Sequence, residues 1–166
     1  VSDRRLVVLR HAKAEHPQQT GDAERPLTAR GHDDAGAAGA WLINHQLVPD
    51  VVLCSPARRA RDTWYGVKTA LGDAAAKVTV VYEPLLYAAE ADELVDLIAD
   101  TEPDARVLLL VGHNPTLSQL SALFDRAGGP PAGLRTSGLA VHQVTGDWST
   151  CTPGQAPLTA THTARA

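Results

Sequence analysis

Four short runs dense in Val and Leu, at residues 6–9, 51–53, 78–81 and 107–111, constrain this chain more than any other feature. They lack the in-and-out alternation of a strand with one wet face, so each predicts a strand covered on both sides. Helical patterns lie between them. In "ADELVDLIAD" the apolar Leu94, Val95, Leu97 and Ile98 recur at three and four, while Asp92, Glu93, Asp96 and Asp100 take the other face. Residues 35–47 are Ala-rich, with Trp41, Leu42 and Leu47 at helical spacing and Thr28 placed to cap the start. Strand followed by helix, repeated, predicts an α/β fold: a three-layer α/β/α sandwich around a mainly parallel central sheet. A further strand is expected over 139–144, with Gly146-Asp147 before Trp148 turning the chain into an antiparallel edge. Beyond Cys151 the Thr, Pro and Gly show no period, so an irregular tail is expected from about residue 151. The 166 residues suit one core, hence a single domain over 1–166.

Charge narrows the function. A formal net charge of -4 gives no basic field for nucleic acid, although Arg58, Arg59 and Arg61 cluster locally, which suits a small anion site. Without an apolar leader or a long apolar span, a cytoplasmic protein with no membrane partner is expected. Cys54 and Cys151 are too few for a disulfide framework and lack zinc spacing, so both read as thiols. No acidic cluster suits Mg²⁺, and neither a metal nor a cofactor is expected.

In parallel sheets, ligands bind where strand ends run into helix N-termini. Three strands end in chemically loaded segments: "RHAK" from Arg10, "CSPARRAR" from Cys54 and "GHNPT" from Gly112. Ser55-Pro56 and Asn114-Pro115 each read as an N-cap followed by proline in the first turn, offering free N–H groups that suit a phosphate. Arg59 in a helix first turn opposes the helix dipole, a local conflict that favours function over solvation. Arg58 and Arg61 read as solvated. Paired with Arg10, Arg59 can grip two oxygens of one anion. His11 can supply a neutral nitrogen able to attack phosphorus and later leave, and is the candidate nucleophile. His113 stands at another strand end, and Glu83 follows "VTVVY" at a fourth. His16, His32, His45, His142 and His162 read as surface or satisfied groups.

"LRHA" (residues 9–12), "SPARRA" (55–60) and "GHNP" (112–115) resemble, in order, the three signatures of the histidine phosphatase superfamily, with its phosphoglycerate-mutase-like fold. "ERPLTARG" (24–31) and "EPLLY" (83–87) are similar to its SixA-type phosphohistidine phosphatase branch. The resemblance spans roughly residues 6–144. It implies a phosphohistidine intermediate on His11, with Arg10, Arg59 and His113 binding the phosphoryl group and Arg25 contributing from a loop. Glu83 is the proton donor by position. Ala12 stands where the family commonly has glycine, so the backbone there must accept a Cβ. The expected substrate is a phosphorylated protein, phosphohistidine above all, hydrolysed without metal. A small phosphate ester is the alternative, and a noncatalytic phospho-ligand module a further one.

Two other chemistries fit less well. A cysteine phosphatase built on Cys54 needs arginine at position 60, which is Ala60. A phosphoglycerate mutase needs a lid, and residues 82–106 offer little beyond one helix.

Overall fold

Alternate residues of the first strand, β1 (Asp3–Arg10), enter two different cores, which explains its unbroken apolar run. Leu6 and Val8 face one layer of helices; Val7 and Leu9 face the other. The computed structural model describes residues 3–166. The remaining strands are β2 (Val51–Cys54), β3 (Thr79–Tyr82), β4 (Val107–Gly112), β5 (Gly138–Thr145) and β6 (Leu158–Thr163). They form a six-stranded sheet in the order β3-β2-β4-β1-β5-β6. β3, β2, β4 and β1 run parallel, β5 is antiparallel to β1, and β6 is antiparallel to β5.

Helices α1 (Ala29–Asn44) and α2 (Arg58–Leu71) cover one face, burying Leu42, Trp64 and Val67 against Val7, Val52 and Leu109. The single turn α3 (Leu85–Ala88), α4 (Ala91–Ala99) and α5 (Thr116–Phe124) cover the other, burying Leu94, Ile98, Leu120 and Phe124 against Leu108 and Leu110. Truncating a fully buried side chain such as Ile98 to alanine costs about 2–5 kcal/mol, transfer and cavity together. Thr28 caps α1 as expected, its hydroxyl accepting from the Gly31 N–H at 2.9 Å. A Cβ on Gly31 would lie 2.1 Å from the Lys13 carbonyl oxygen. Only glycine lets the loop after β1 press so closely on α1.

Three expectations need correcting. β3 is an edge strand paired only to β2, so its Val and Tyr are not covered on both faces and Val81 is 42% exposed. The residues after Cys151 are not irregular: 158–163 form β6, with Leu158, Ala160 and His162 half-buried and the intervening threonines exposed. The two-residue period is there, but Leu158 and Ala160 are its only apolar members, too few to stand out from a Thr-rich tail. A register shift between Val141 and His142 also sends Leu158 and Ala160 toward opposite cores. Finally, α2 begins at Arg58 and α5 at Thr116, so Pro56 and Pro115 precede the helices they were expected to open. Among the described residues, no helix is long and apolar enough to cross a membrane.

Candidate active site

The parallel ladder runs one residue past the strand ends. His11 N–H donates to the Gly112 carbonyl (2.9 Å), Ser55 N–H to Val111 (2.9 Å) and Glu83 N–H to Cys54 (2.8 Å). Segments far apart in sequence are thereby brought into line along one sheet edge. A cavity of about 330 Å³ opens there, lined by Arg10, His11, Lys13, Ala14, His16, Arg25, Arg59, His113, Asn114 and Thr136.

His11 is buried at its floor. Its Nδ1 lies 2.7 Å from the Ala12 carbonyl oxygen, which can only accept, so Nδ1 carries the ring proton and Nε2 keeps its lone pair. Burial pushes the His11 pKa down to about 3, so the ring is neutral at physiological pH. The next N–H, of Ala12, donates to Thr63 Oγ1 (3.0 Å), and that hydroxyl donates to the Arg59 carbonyl (2.7 Å), tying the loop after β1 to α2. Among the described residues, Gln46 and Ser137 are the non-glycine positions with positive φ; Ala12 is not one. Its Cβ packs among Ala14, Leu27 and Ala35, so the loop accommodates the exchange for glycine.

Arg59 is buried in the first turn of α2. Its Nη1 donates to the Asp22 carbonyl (2.7 Å) and its Nη2 to Asp22 Oδ2 (3.0 Å). Asp22, in a single 3-10 turn (Asp22–Glu24), also accepts from the Tyr87 hydroxyl (2.6 Å) and from Arg25 Nε (3.1 Å). The Tyr87 hydrogen bond, with Arg59 and Arg25 beside it, holds the Asp22 carboxyl well below the usual carboxylate range. Arg25 also reaches the Glu15 carbonyl (3.0 Å) and His16 Nδ1 (3.2 Å). On the opposite flank Arg10 Nη1 donates to the Leu134 carbonyl (3.2 Å). His113 has its ring centroid 5.2 Å from that of His11, and its Nε2 is 2.7 Å from Ser55 Oγ. Burial, then the Arg59 charge, lowers the His113 pKa to about 4. Arg10 Nε, Arg59 Nε and His113 Nδ1 are all buried without a hydrogen-bond partner.

Arg10, His11, Arg25, Arg59 and His113 therefore meet around one cavity, as the sequence led us to expect. Glu83 does not join them. It sits at the end of β3, but its Oε1 accepts from the Leu85 N–H (3.2 Å) in the first turn of α3, and it lines a different depression with Leu97 and Thr101. His16, expected to be a plain surface group, lies at the cavity rim against Arg25. Arg58 and Arg61 are exposed, with Arg58 3.6 Å from Asp62 and Arg61 donating to the Pro56 carbonyl (2.9 Å). Cys54 is fully buried and its thiol is pushed up to about 12, the reverse of a nucleophilic thiolate. Asp22 and Tyr87 had no role assigned from the sequence, and Ser55 was expected only as a helix cap, not as a partner of His113. Asp22 stands just before "ERPLTARG" and Tyr87 ends "EPLLY", so the motifs carried the only available signal. No group of three or more His, Cys, Asp or Glu among the described residues is arranged to hold a metal.

The sequence model of the histidine phosphatase superfamily (branch 1) matches residues 6–87. An uncharacterized protein of Mycobacterium tuberculosis is 37% identical over 165 residues, covering 95% of this chain and 100% of that protein. A SixA protein from Nakamurella multipartitia, assigned as a phosphohistidine phosphatase, superposes with a TM-score of 0.85 at 30% identity, covering 100% of this chain and 99% of that one. Its counterpart from Agrobacterium tumefaciens gives a TM-score of 0.76 at 27% identity, covering 96% and 97%.

Proposed function

The chain belongs to the histidine phosphatase superfamily, in its SixA-type branch, and from that premise we propose that this phosphatase removes phosphoryl groups from histidine side chains of another protein. One observation carries the reading. A histidine with a bare Nε2 lines one cavity together with Arg10, Arg59 and His113, each of which also keeps a buried nitrogen without a partner, and such donors suit the oxygens of a phosphoryl group.

In the first step the substrate ring carries a proton on its other nitrogen; His11 Nε2 attacks phosphorus, the bond from phosphorus to the substrate nitrogen breaks, and the substrate leaves as neutral imidazole with the electron pair. The His11 ring is then positively charged while Nδ1–H still donates to Ala12. Water attacks the phosphorylated His11 in the second step, the bond from phosphorus to Nε2 breaks, and inorganic phosphate departs. Arg10, Arg59 and Arg25 offset the charge spread over the equatorial oxygens, so no divalent metal is needed.

The carboxylate beside the arginines favours phosphohistidine over an alkyl ester. Asp22 is held ionised by Tyr87, Arg59 and Arg25 and so is a poor proton donor, while Glu83 is turned onto α3. An imidazole leaves with less protonic help than an alkoxide.

The test is steady-state labelling. With a ³²P-phosphohistidine peptide and EDTA present, an alkaline quench should retain label on His11 and an acid quench should lose it. His11→Ala should abolish labelling and turnover together, with Cys54→Ser near wild type. A requirement for added metal, or faster turnover of sugar phosphates than of phosphohistidine, would refute the assignment.

A further inference from the structure

We propose that Ser55 is a positioning residue that places the ring proton of His113 on Nδ1, so that the second histidine of the site presents one aimed N–H to a phosphoryl oxygen. The inference rests on the reading of His113 as a phosphoryl contact.

A proton inventory leads to it. The Ser55 side chain is completely buried. Its hydroxyl has one proton to give and two lone pairs. One lone pair accepts from the Ala57 N–H at 3.2 Å, a contact in which the amide can only donate. The remaining partner is His113 Nε2, at 2.7 Å. Were Nε2 protonated, Ser55 would accept twice and its own O–H would be left buried with no acceptor, a desolvation that nothing offsets. Ser55 O–H therefore donates into the Nε2 lone pair, and the ring proton falls on Nδ1. That nitrogen is buried, without a protein partner, on a ring that lines the cavity. Burial and the Arg59 charge, which hold His113 at about pKa 4, remove the doubly protonated ring as a competitor near neutrality.

The two histidines thus complement one another. Each carries its proton on Nδ1, but His11 spends that proton on the Ala12 carbonyl and offers a lone pair, whereas His113 spends its lone pair on Ser55 and offers a proton. Free imidazole side chains in water favour the proton on Nε2, so a serine at the end of β2 selects the less common form.

Long-range ¹H–¹⁵N spectra of the ¹⁵N-histidine-labelled protein test this directly, with His113 assigned by the peak missing in His113→Gln. The expected wild-type pattern is protonated Nδ1 and bare Nε2. Ser55→Ala should shift the proton to Nε2 and lower kcat by about 10- to 100-fold, the scale of removing an outer hydrogen bond from a functional histidine. Ser55→Thr, which keeps the hydroxyl, should keep the pattern and most of the turnover. A wild-type His113 protonated on Nε2 overturns the proposal, and so does Ser55→Ala with an unchanged tautomer. If Ser55→Ala does not fold, the wild-type spectrum still decides. The spectrum needs no substrate, so the expected tautomer in an enzyme that ignores phosphohistidine would count against the substrate and leave the Ser55 assignment intact.

Discussion

The two flanks of the cavity are held in place by different physics. On one side a single carboxylate, Asp22, gathers Arg59, Arg25 and the Tyr87 hydroxyl, so the arginines are positioned by opposite charge. On the other, the Leu134 carbonyl accepts from both Arg10 and Asn114 Nδ2 (2.6 Å), while Ser118 Oγ donates to Asn114 Oδ1 (2.7 Å) and accepts from the Leu134 N–H (2.9 Å). That flank uses backbone and amide dipoles. An ionic clamp shares its arginine's charge with a resident anion, whereas a dipolar clamp leaves it undiminished for an incoming one.

Replacing the arginines one at a time tests this contrast most severely. Arg10→Ala and Arg59→Ala should each lower kcat/KM by about 100- to 1,000-fold, the loss expected for a donor aimed at developing charge. The recovery should differ. Arg59→Ala strips Asp22 of its strongest counter-charge and leaves a carboxylate to repel phosphate, so adding Asp22→Ala should regain part of the loss. The same addition to Arg10→Ala should regain none. Equal rescue of both, measured as kcat/KM in a double-mutant cycle, would erase the distinction between the flanks.

Asp22→Asn alone should cost about tenfold in kcat/KM, because it keeps the shape of the clamp and removes its charge-assisted bonds. Raising ionic strength should weaken the wild type toward this variant and leave the variant itself less affected. A salt response identical in both would show that Asp22 does not act through charge.

Acid should affect the floor before either flank. His11 and His113 have folded-state pKa values of about 3 and about 4 against an ordinary 6.5, so as pH falls through 6.5 the unfolded chain takes up protons that the folded chain refuses. Their stabilisation is complete above 6.5 and declines toward the folded values. Asp22, with its carboxyl held down, contributes above its ordinary 3.8 and loses that contribution only below it. The thermal midpoint should therefore drop by several degrees between about pH 7.5 and pH 5, and the drop should shrink in His113→Gln. An unchanged slope in that variant would show that another buried group, such as His142, controls the response.

The smallest effect should come from the dipolar flank. Ser118→Ala removes two neutral hydrogen bonds and should cost about 1 kcal/mol of stability with a KM rise of only a few-fold. Faster amide exchange should be confined to the segment around Leu134.

Much of this architecture was legible because local pattern and global burial agree. The runs that became β1, β2 and β4 are apolar on both faces because both faces are covered, and Thr28 announces α1 by a hydrogen bond made within four residues. The rest depended on partners distant in sequence. β3 carries the same apolar run as its neighbours, yet its last position in the sheet leaves it wet, and edge position is a property of topology. Asp22 is an ordinary loop aspartate until Arg59 and Tyr87, 37 and 65 residues away, close on it. Ser55 reads as a helix cap because serine before proline so often is one, and its hydroxyl does accept from the Ala57 N–H, but it also serves His113 from 58 residues off. Glu83 stands at a strand end as expected, but its carboxylate turns onto α3 and not into the cavity, because strand position does not fix side-chain direction.

The sheet order has a consequence for synthesis. β1, which leads into His11, lies between β4 and β5, so its partners on either side come from residues 107–112 and 138–145. A ribosome makes this strand first and its neighbours long afterwards. Through most of translation the apolar stretch from Leu6 to Leu9 has no strand to pair with, and it is the segment most open to capture by a holding chaperone. A chain released before β5 therefore carries the nucleophile we assign on a strand that lacks its antiparallel neighbour.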